Sequence, residues 1–294
     1  AALVLTALLA PPNRPNPGKH FDIASSFYAL VALAGLTLGI KEAANPGASG
    51  ALVAAALAVA LAGGLVFARR QRRLGDPLLT LDIFRSRIFT GGVLAAAGSM
   101  FVVAGTELQT TQKLQLVDAF SPLGAGLAVA TMAIAAFPAS VLGGANLHRV
   151  GFLPLVAGGF AGAALGAAML AGAAAATSLP LEIAALAVIG FAGGAVMSVS
   201  SIAIIEAAPL HRSGMAAGVE EVSYEFGTLI TVAVTSSLFG RWMAENLEYQ
   251  PYANAYAGAY NGVLTVLAAA SLGLSLTTAW CFRGNPKSGR EAVR

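Results

Sequence analysis

The chain has 294 residues, of which 57% are hydrophobic and only 11% charged, with a single cysteine and a formal net charge of +3. Soluble domains carry about 25% charged residues, so a mean hydropathy of +0.75 marks an integral membrane protein; long unbroken apolar stretches exclude the alternating strands of a β-barrel. Cys281 alone excludes an internal disulfide and a cysteine metal site, and the basic residues sit at segment ends rather than in a patch suited to nucleic acid.

The sequence opens on AALVLTALLA, with no Met, no basic n-region and no cleavage site, so residues 1–10 are not a signal peptide. They are also too few to span a bilayer. They read as the end of a truncated transmembrane helix, and the sequence as a piece of a longer chain. Eight full apolar segments follow, at 22–40, 48–68, 88–112, 122–145, 153–176, 180–205, 213–238 and 258–282. Short connections marked by Pro, Gly, Asn or charge make successive helices antiparallel neighbours.

Fourteen of the 17 basic residues fall on one side of this topology. They are Arg14 and Lys19; Arg69, Arg70, Arg72, Arg73, Arg85 and Arg87; Arg149; Arg212; and Arg283, Lys287, Arg290 and Arg294. Only Lys41, Lys113 and Arg241 fall on the other. The excess places the first side, with the C-terminus, in the cytoplasm. There the arginine runs serve as anchors beside anionic lipid.

Small residues crowd the spans. Gly158, Gly162 and Gly166 form two overlapping GxxxG steps, and Gly35/Gly39, Gly190/Gly194 and Gly214/Gly218 form others. In lipid such steps allow close backbone approach.

The segment 213–238 is the most informative. It carries Glu220, Glu221 and Glu225 in its middle third. Three ionised carboxylates oppose insertion by roughly 7–10 kcal/mol, and its eight large apolar side chains return only about 2–5. The glutamates must therefore face a bundle interior or a watery cavity, or be held protonated. Helical spacing puts Glu221 and Glu225 on one face, and Glu220 with Tyr224 on another about 100° away. From Arg212, Glu220 lies about 12 Å and Glu225 about 20 Å into the membrane. Acids so placed suit proton exchange or cation binding, although any single one could instead cap an interhelix hydrogen bond. Tyr224 adds a hydroxyl and a ring face for cations.

Glu107, within TELQTTQ, lies about 9 Å below the end marked by Lys113. With Thr106, Gln109, Thr110 and Gln112 it forms either an outward polar vestibule or an interfacial, solvated group. Asp118, Glu182, Glu206, Glu245 and Glu248 read as solvated or capping. Trp242, Tyr249, Tyr252, Tyr256 and Tyr260 read as an interfacial belt, with a substrate-entry patch as the alternative. No nucleotide loop, metal cluster or Ser/His/Asp set stands out, and the glycines of GGANLHRVGF precede no phosphate-binding βα unit.

APLHRSGMAAGVEEVSYEFGTLITVAV resembles the P–x–x–R–x–G–x–A–x–G stretch of the penultimate helices of the major facilitator superfamily. DPLLTLDIFRSRIFTGGVLAA and LQLVDAFSPLGAGLAV resemble the linker and first helices of the second bundle in its 14-span drug:proton antiporters. GGANLHRVG looks like a degenerate copy of the superfamily's cytoplasmic G–x–L–x–D–R–x–G–R loop, with Asn146 at the acidic position and the final Arg missing. The resemblance covers nearly the whole chain. It implies an all-α integral membrane fold. Residues 1–10 end a truncated helix, 11–87 hold two linker helices with a basic cytoplasmic loop, and 88–294 form the C-terminal six-helix bundle. It further implies a multi-pass protein of the bacterial inner membrane, working with a missing N-terminal bundle.

The doubled acid is most similar to that of quaternary-ammonium and fluoroquinolone exporters, so Glu220 and Glu221 inherit cation recognition or proton coupling. Gly144, Arg149 and Gly151 inherit the gating loop. The expected function is proton-coupled efflux of lipophilic cations, driven by the proton gradient without a cofactor. The expected partners are the lipid bilayer and cationic small molecules, with no nucleic acid. A proton-coupled transporter of another small solute is the alternative, and an intramembrane enzyme or structural subunit a remoter one.

Overall fold

A computed structural model describes residues 22–45, 47–75 and 77–283. The truncated helix expected at 1–10 and the basic tail from Lys287 onward lie outside the described residues. Among those described, the chain is all helical, with eight helices long and apolar enough to cross a membrane. They are α1 (Ile23–Ala43), α2 (Gly50–Gln71), α3 (Arg87–Leu116), α4 (Pro122–Val150), α5 (Phe152–Ala175), α6 (Leu179–Glu206), α7 (Ser213–Leu247) and α8 (Tyr252–Phe282). Each overlaps one of the eight apolar segments.

Local chemistry sets several of the starts. Asp22, Ser49, Ser86 and Ser121 each accept a backbone N–H of the first turn of α1, α2, α3 and α4, as capping residues do. Pro122 occupies the first turn of α4, where its missing N–H costs nothing. Gly151 both ends α4 and begins α5 with φ 87. A side chain there would be strained.

The helices α1 and α2 pair as a hairpin, with Gly35 against the Ala56 and Ala60 backbone and Gly63 against Ala32. The hairpin meets the remaining helices where α1 touches α7. From α3 onward, α4, α6, α3 and α7 lie side by side in that order, with α5 and α8 packed behind. Exchanging α3–α5 with α6–α8 maps the α4–α6 contact onto α7–α3, and α5–α6 onto α8–α3. That is the signature of paired three-helix repeats, as transporter folds use them. Residue contacts give the directions. Gly91, Gly98 and Gly105 of α3 meet Cys281, Leu274 and Leu267 of α8, so those two helices run antiparallel. Ala97 and Gly105 meet Gly227 and Thr231, so α3 and α7 run parallel.

The glycine steps are not equivalent. Gly190 and Gly194 press α6 onto the backbone of Met132 and Ala136 in α4, whereas Gly158, Gly214 and Gly218 face open space. Backbone atoms cannot move aside as a side-chain tip can. Gly190→Ala and Gly194→Ala should therefore each cost about 1–3 kcal/mol through overpacking. Gly158→Ala should gain a few tenths from better helix propensity. Thermal unfolding of the purified variants checks this, and a Gly190→Ala protein as stable as its parent would contradict the packing.

Two expectations need correction. Tyr256 and Tyr260 are 1% and 0% exposed and lie inside the bundle, not in an interfacial belt; only Tyr249 and Tyr252 of the five are largely exposed. Glu182 is neither solvated nor merely capping, being 3% exposed in the first turn of α6.

Candidate functional site

The helix α7 begins at a fastened corner. Arg212 donates to Thr80 at 3.0 Å and to Asp82 at 2.9 Å, and Met215 receives the Thr80 N–H at 3.3 Å. The Thr80 hydroxyl and the Arg212 guanidinium hold the Asp82 carboxyl below its usual range. This corner ties the segment before α3 to the base of the acid-bearing helix.

One stripe of α7, comprising Ala216, Ser223, Gly227, Thr231 and Thr235, is buried and runs along α3. Glu220 falls on that stripe by helical spacing and is half-buried. The Tyr224 hydroxyl donates to its carboxylate at 3.2 Å. It also lies 3.3 Å from the Met197 carbonyl and 3.5 Å from the Ser200 hydroxyl of α6. The Glu220–Tyr224 pairing expected from their spacing is thus present. Glu221 and Glu225 point to the exposed side, and no ion pair reaches them among the described residues. The three acids are therefore split: one turned inward beside a tyrosine, two open.

Glu107 is also exposed but does not join them at one level. It lies two residues beyond Gly105, which meets Thr231. That places it roughly 12 Å along the axis from Glu225 and 18 Å from Glu221. Three of the polar residues named with it do not share its face. Thr106, Gln109 and Thr110 are buried on a different face.

What sequence reasoning missed is where those residues go. Thr106, Gln109, Thr110 and Lys113 form a buried polar stripe on α3, and Tyr256 and Tyr260 of α8 and Thr231 and Thr235 of α7 are buried as well. Thr110 and Tyr260 are bonded at 3.0 Å. Lys113, 9% exposed, donates to Asp118 at 2.8 Å and to Glu182 of α6, and lies 6.0 Å from the Tyr260 ring centroid. The spacing i, i+3, i+4, i+7 of polar residues in an apolar helix was the available signal.

At the loop expected to gate, Gly144 lies against Ser198 and Ile202 of α6. Asn146 is bonded to the Leu142 carbonyl at 2.9 Å, Arg149 is exposed, and Gly151 makes the left-handed turn described above. Among the described residues, no group of three or more His, Cys, Asp or Glu side chains is arranged to hold a metal ion.

No family model matches the chain. It is 31% identical over 247 residues, 84% of its length and 49% of the relative's, to the multidrug efflux pump LfrA of Mycolicibacterium smegmatis. It is 27% identical over 240 residues, 81% of its length and 48% of the relative's, to the methyl viologen resistance protein SmvA of Salmonella typhimurium. Over 246 residues, 84% of its length and 46% of the relative's, it is 26% identical to the multidrug resistance protein Stp of Mycobacterium tuberculosis. The chain spans about half the length of the curated relatives it matches. By their names these relatives are a multidrug efflux pump and resistance proteins, which bears out the resemblance.

Proposed function

We propose that this chain, a homologue of multidrug efflux pumps of the major facilitator drug:proton antiporter type, supplies the acid-bearing bundle of a proton-coupled exporter of lipophilic cations. The observation behind this reading is the pair Glu221 and Glu225, open and without an ion pair among the described residues, on a helix long enough to cross a membrane. A charged side chain facing mid-bilayer hydrocarbon costs about 2.5–3.5 kcal/mol. The open face therefore belongs against a second bundle of the transporter across a hydrated cleft. The division into two linker helices followed by a six-helix bundle from residue 88 is part of the same proposal.

The mechanism follows from sharing. In the outward-facing form Glu221 and Glu225 take up protons. In the inward-facing form the protons leave and a cation takes their place, so the two ligands occupy one site in alternation. Each elementary charge moved inward across 100 mV releases about 2.3 kcal/mol, and the proton gradient is the energy source. Glu220, held by Tyr224 beside α6, links the state of the acids to the α6–α7 contact. Glu107 serves the outward opening. Gly144, Arg149 and Gly151 form the gating loop.

The proposed setting is a bacterial inner membrane with the arginine-rich face and the C-terminus in the cytoplasm. A cysteine replacing Arg72 should then react with an impermeant thiol reagent only from the cytoplasmic side, and one replacing Glu248 only from outside. The opposite pattern would invert the orientation.

The function itself is tested in everted vesicles carrying the chain together with the second bundle against which its open face is proposed to lie. Methyl viologen, a dication and the compound in the name of the Salmonella relative, serves as the probe. Expected are its accumulation under an imposed inward-acid gradient and a matching release of protons. Accumulation without proton movement, or none for any organic cation, would refute the reading.

A further inference from the structure

We propose that the arginine-rich end of the α1–α2 hairpin is a built site for the phosphate headgroup of an anionic membrane lipid. A cavity of about 330 Å³ opens there, lined by Tyr28, Val66, Arg69, Arg70, Arg73 and Leu74. Its chemistry is divided. Three guanidinium groups share it with the Tyr28 ring and the aliphatic Val66 and Leu74, of which Tyr28 and Val66 lie toward the apolar span.

The sequence arranges this with few residues. Val66, Arg69 and Arg70 recur at helical spacing, so they share one side of the last turns of α2, and Arg73 follows in the turn just past its end. Arg70 is fixed in place: its Nε donates to Ser25 at 3.0 Å and its Nη2 to Asp22 at 3.0 Å. Gln71 braces the same corner by donating to Ser25 at 2.8 Å and accepting the Leu79 N–H at 3.1 Å. The guanidinium of Arg70, then the Ser25 hydroxyl, pull the Asp22 carboxyl down to about 2, so that carboxylate is spoken for at neutral pH. Three of the five Arg70 donors remain. Arg69 and Arg73 are exposed and make no ion pair among the described residues. Among the described residues, three cations against one committed carboxylate leave an excess of two positive charges around a cavity large enough for a headgroup.

Arginine forks match phosphate oxygens in pairs, and basic pockets at helix ends on the cytoplasmic side are a general mode of anionic lipid recognition. A free phosphate would meet the same guanidinium groups. The lipid is the better occupant because Val66, Tyr28 and Leu74 offer an acyl or glycerol segment a place beside the charge. The site does not depend on the transport reading.

Native mass spectrometry of the purified, delipidated full chain tests this, using phosphatidylglycerol and phosphatidylcholine of the same acyl length. Phosphatidylglycerol should be retained preferentially, and Arg69→Gln and Arg73→Gln should each weaken its binding about fivefold. Arg72→Gln removes the same charge from an exposed position that does not line the cavity, and should leave the preference nearly intact. Millimolar inorganic phosphate should not displace the lipid. Equal retention of both lipids would overturn the site. So would an Arg72→Gln loss as large as that of Arg69→Gln, which would show only diffuse attraction. Displacement by inorganic phosphate would assign the cavity to a soluble anion instead.

Discussion

Glu221→Gln with Glu225→Gln in one complete transporter should nearly abolish gradient-driven methyl viologen uptake into everted vesicles, while the protein still inserts and melts normally. The two side chains are exposed on α7 and make no ion pair among the described residues, so replacing them removes no bond seen there and leaves no buried group orphaned. Bonds to a charged group contribute about 1.5–3 kcal/mol. Losing one such interaction with the cation corresponds to a drop of roughly ten- to 150-fold, and the double change should exceed either single one. Glu221→Asp should retain more activity than Glu221→Gln, because it keeps the charge and shortens its reach by one methylene.

The single variants separate the roles. Glu225→Gln should flatten the pH dependence of transport while preserving some cation binding, because one proton-exchanging group is lost and Glu221 remains. Glu220→Ala and Tyr224→Phe should resemble one another, since each removes the same 3.2 Å bond, whereas Glu220→Gln keeps an accepting oxygen and should do less. Their effect should fall on rate more than on affinity for methyl viologen. Full-rate export by the Glu221→Gln, Glu225→Gln protein would place the exchange site elsewhere, with Glu107 as the next candidate.

The fold was largely legible because hydropathy reports the bilayer directly. Every apolar segment became a helix, and the errors lie at ends where polar helix continues past the membrane. The α7 helix extends to Leu247 partly through Arg241 and Glu245, one turn apart and bonded at 2.8 Å. The α8 helix starts as early as Tyr252, since Tyr256 and Tyr260 are bundle core. Aromatic residues near a span end fit both a belt and a core, and only packing decides between them. The acid site was half legible. Spacing alone placed Glu221 with Glu225 and Glu220 with Tyr224, because both pairs are local to one helix. Spacing could not tell which pair faces α6 and which faces outward, as that depends on where α3 and α6 lie. The Lys113–Glu182 contact was invisible for a related reason. Its members are 69 residues apart, and each looks like an ordinary charge at a span end.

That buried contact is expected to be the most fragile point of the bundle. Lys113→Met should destabilise the protein by about 3–5 kcal/mol, the range for removing one partner of a buried ion pair. Glu182 would be left 3% exposed with no cation beside it. Glu182→Gln should cost less, since Lys113 keeps Asp118 at 2.8 Å and an amide still accepts one bond. Asp118→Asn should cost least, because that side chain is 30% exposed and water can replace what it loses. Lys113→Met with Glu182→Met should recover much of the loss, as apolar replacement of a whole buried pair is often neutral or stabilising. The coupling read from the double-mutant cycle should then be large, as for groups in direct contact. The consequence reaches beyond stability, because the pair joins α3 to α6, one helix from each three-helix repeat. A loosened Lys113→Met protein should expose the buried Thr106 and Gln109 stripe, so a cysteine at Thr106 should react faster in that background. Unfolding midpoints of the parent, Lys113→Met, Glu182→Met and double variants, measured side by side, decide the matter: additive or negligible single effects would mean the ion pair does not hold the two repeats together.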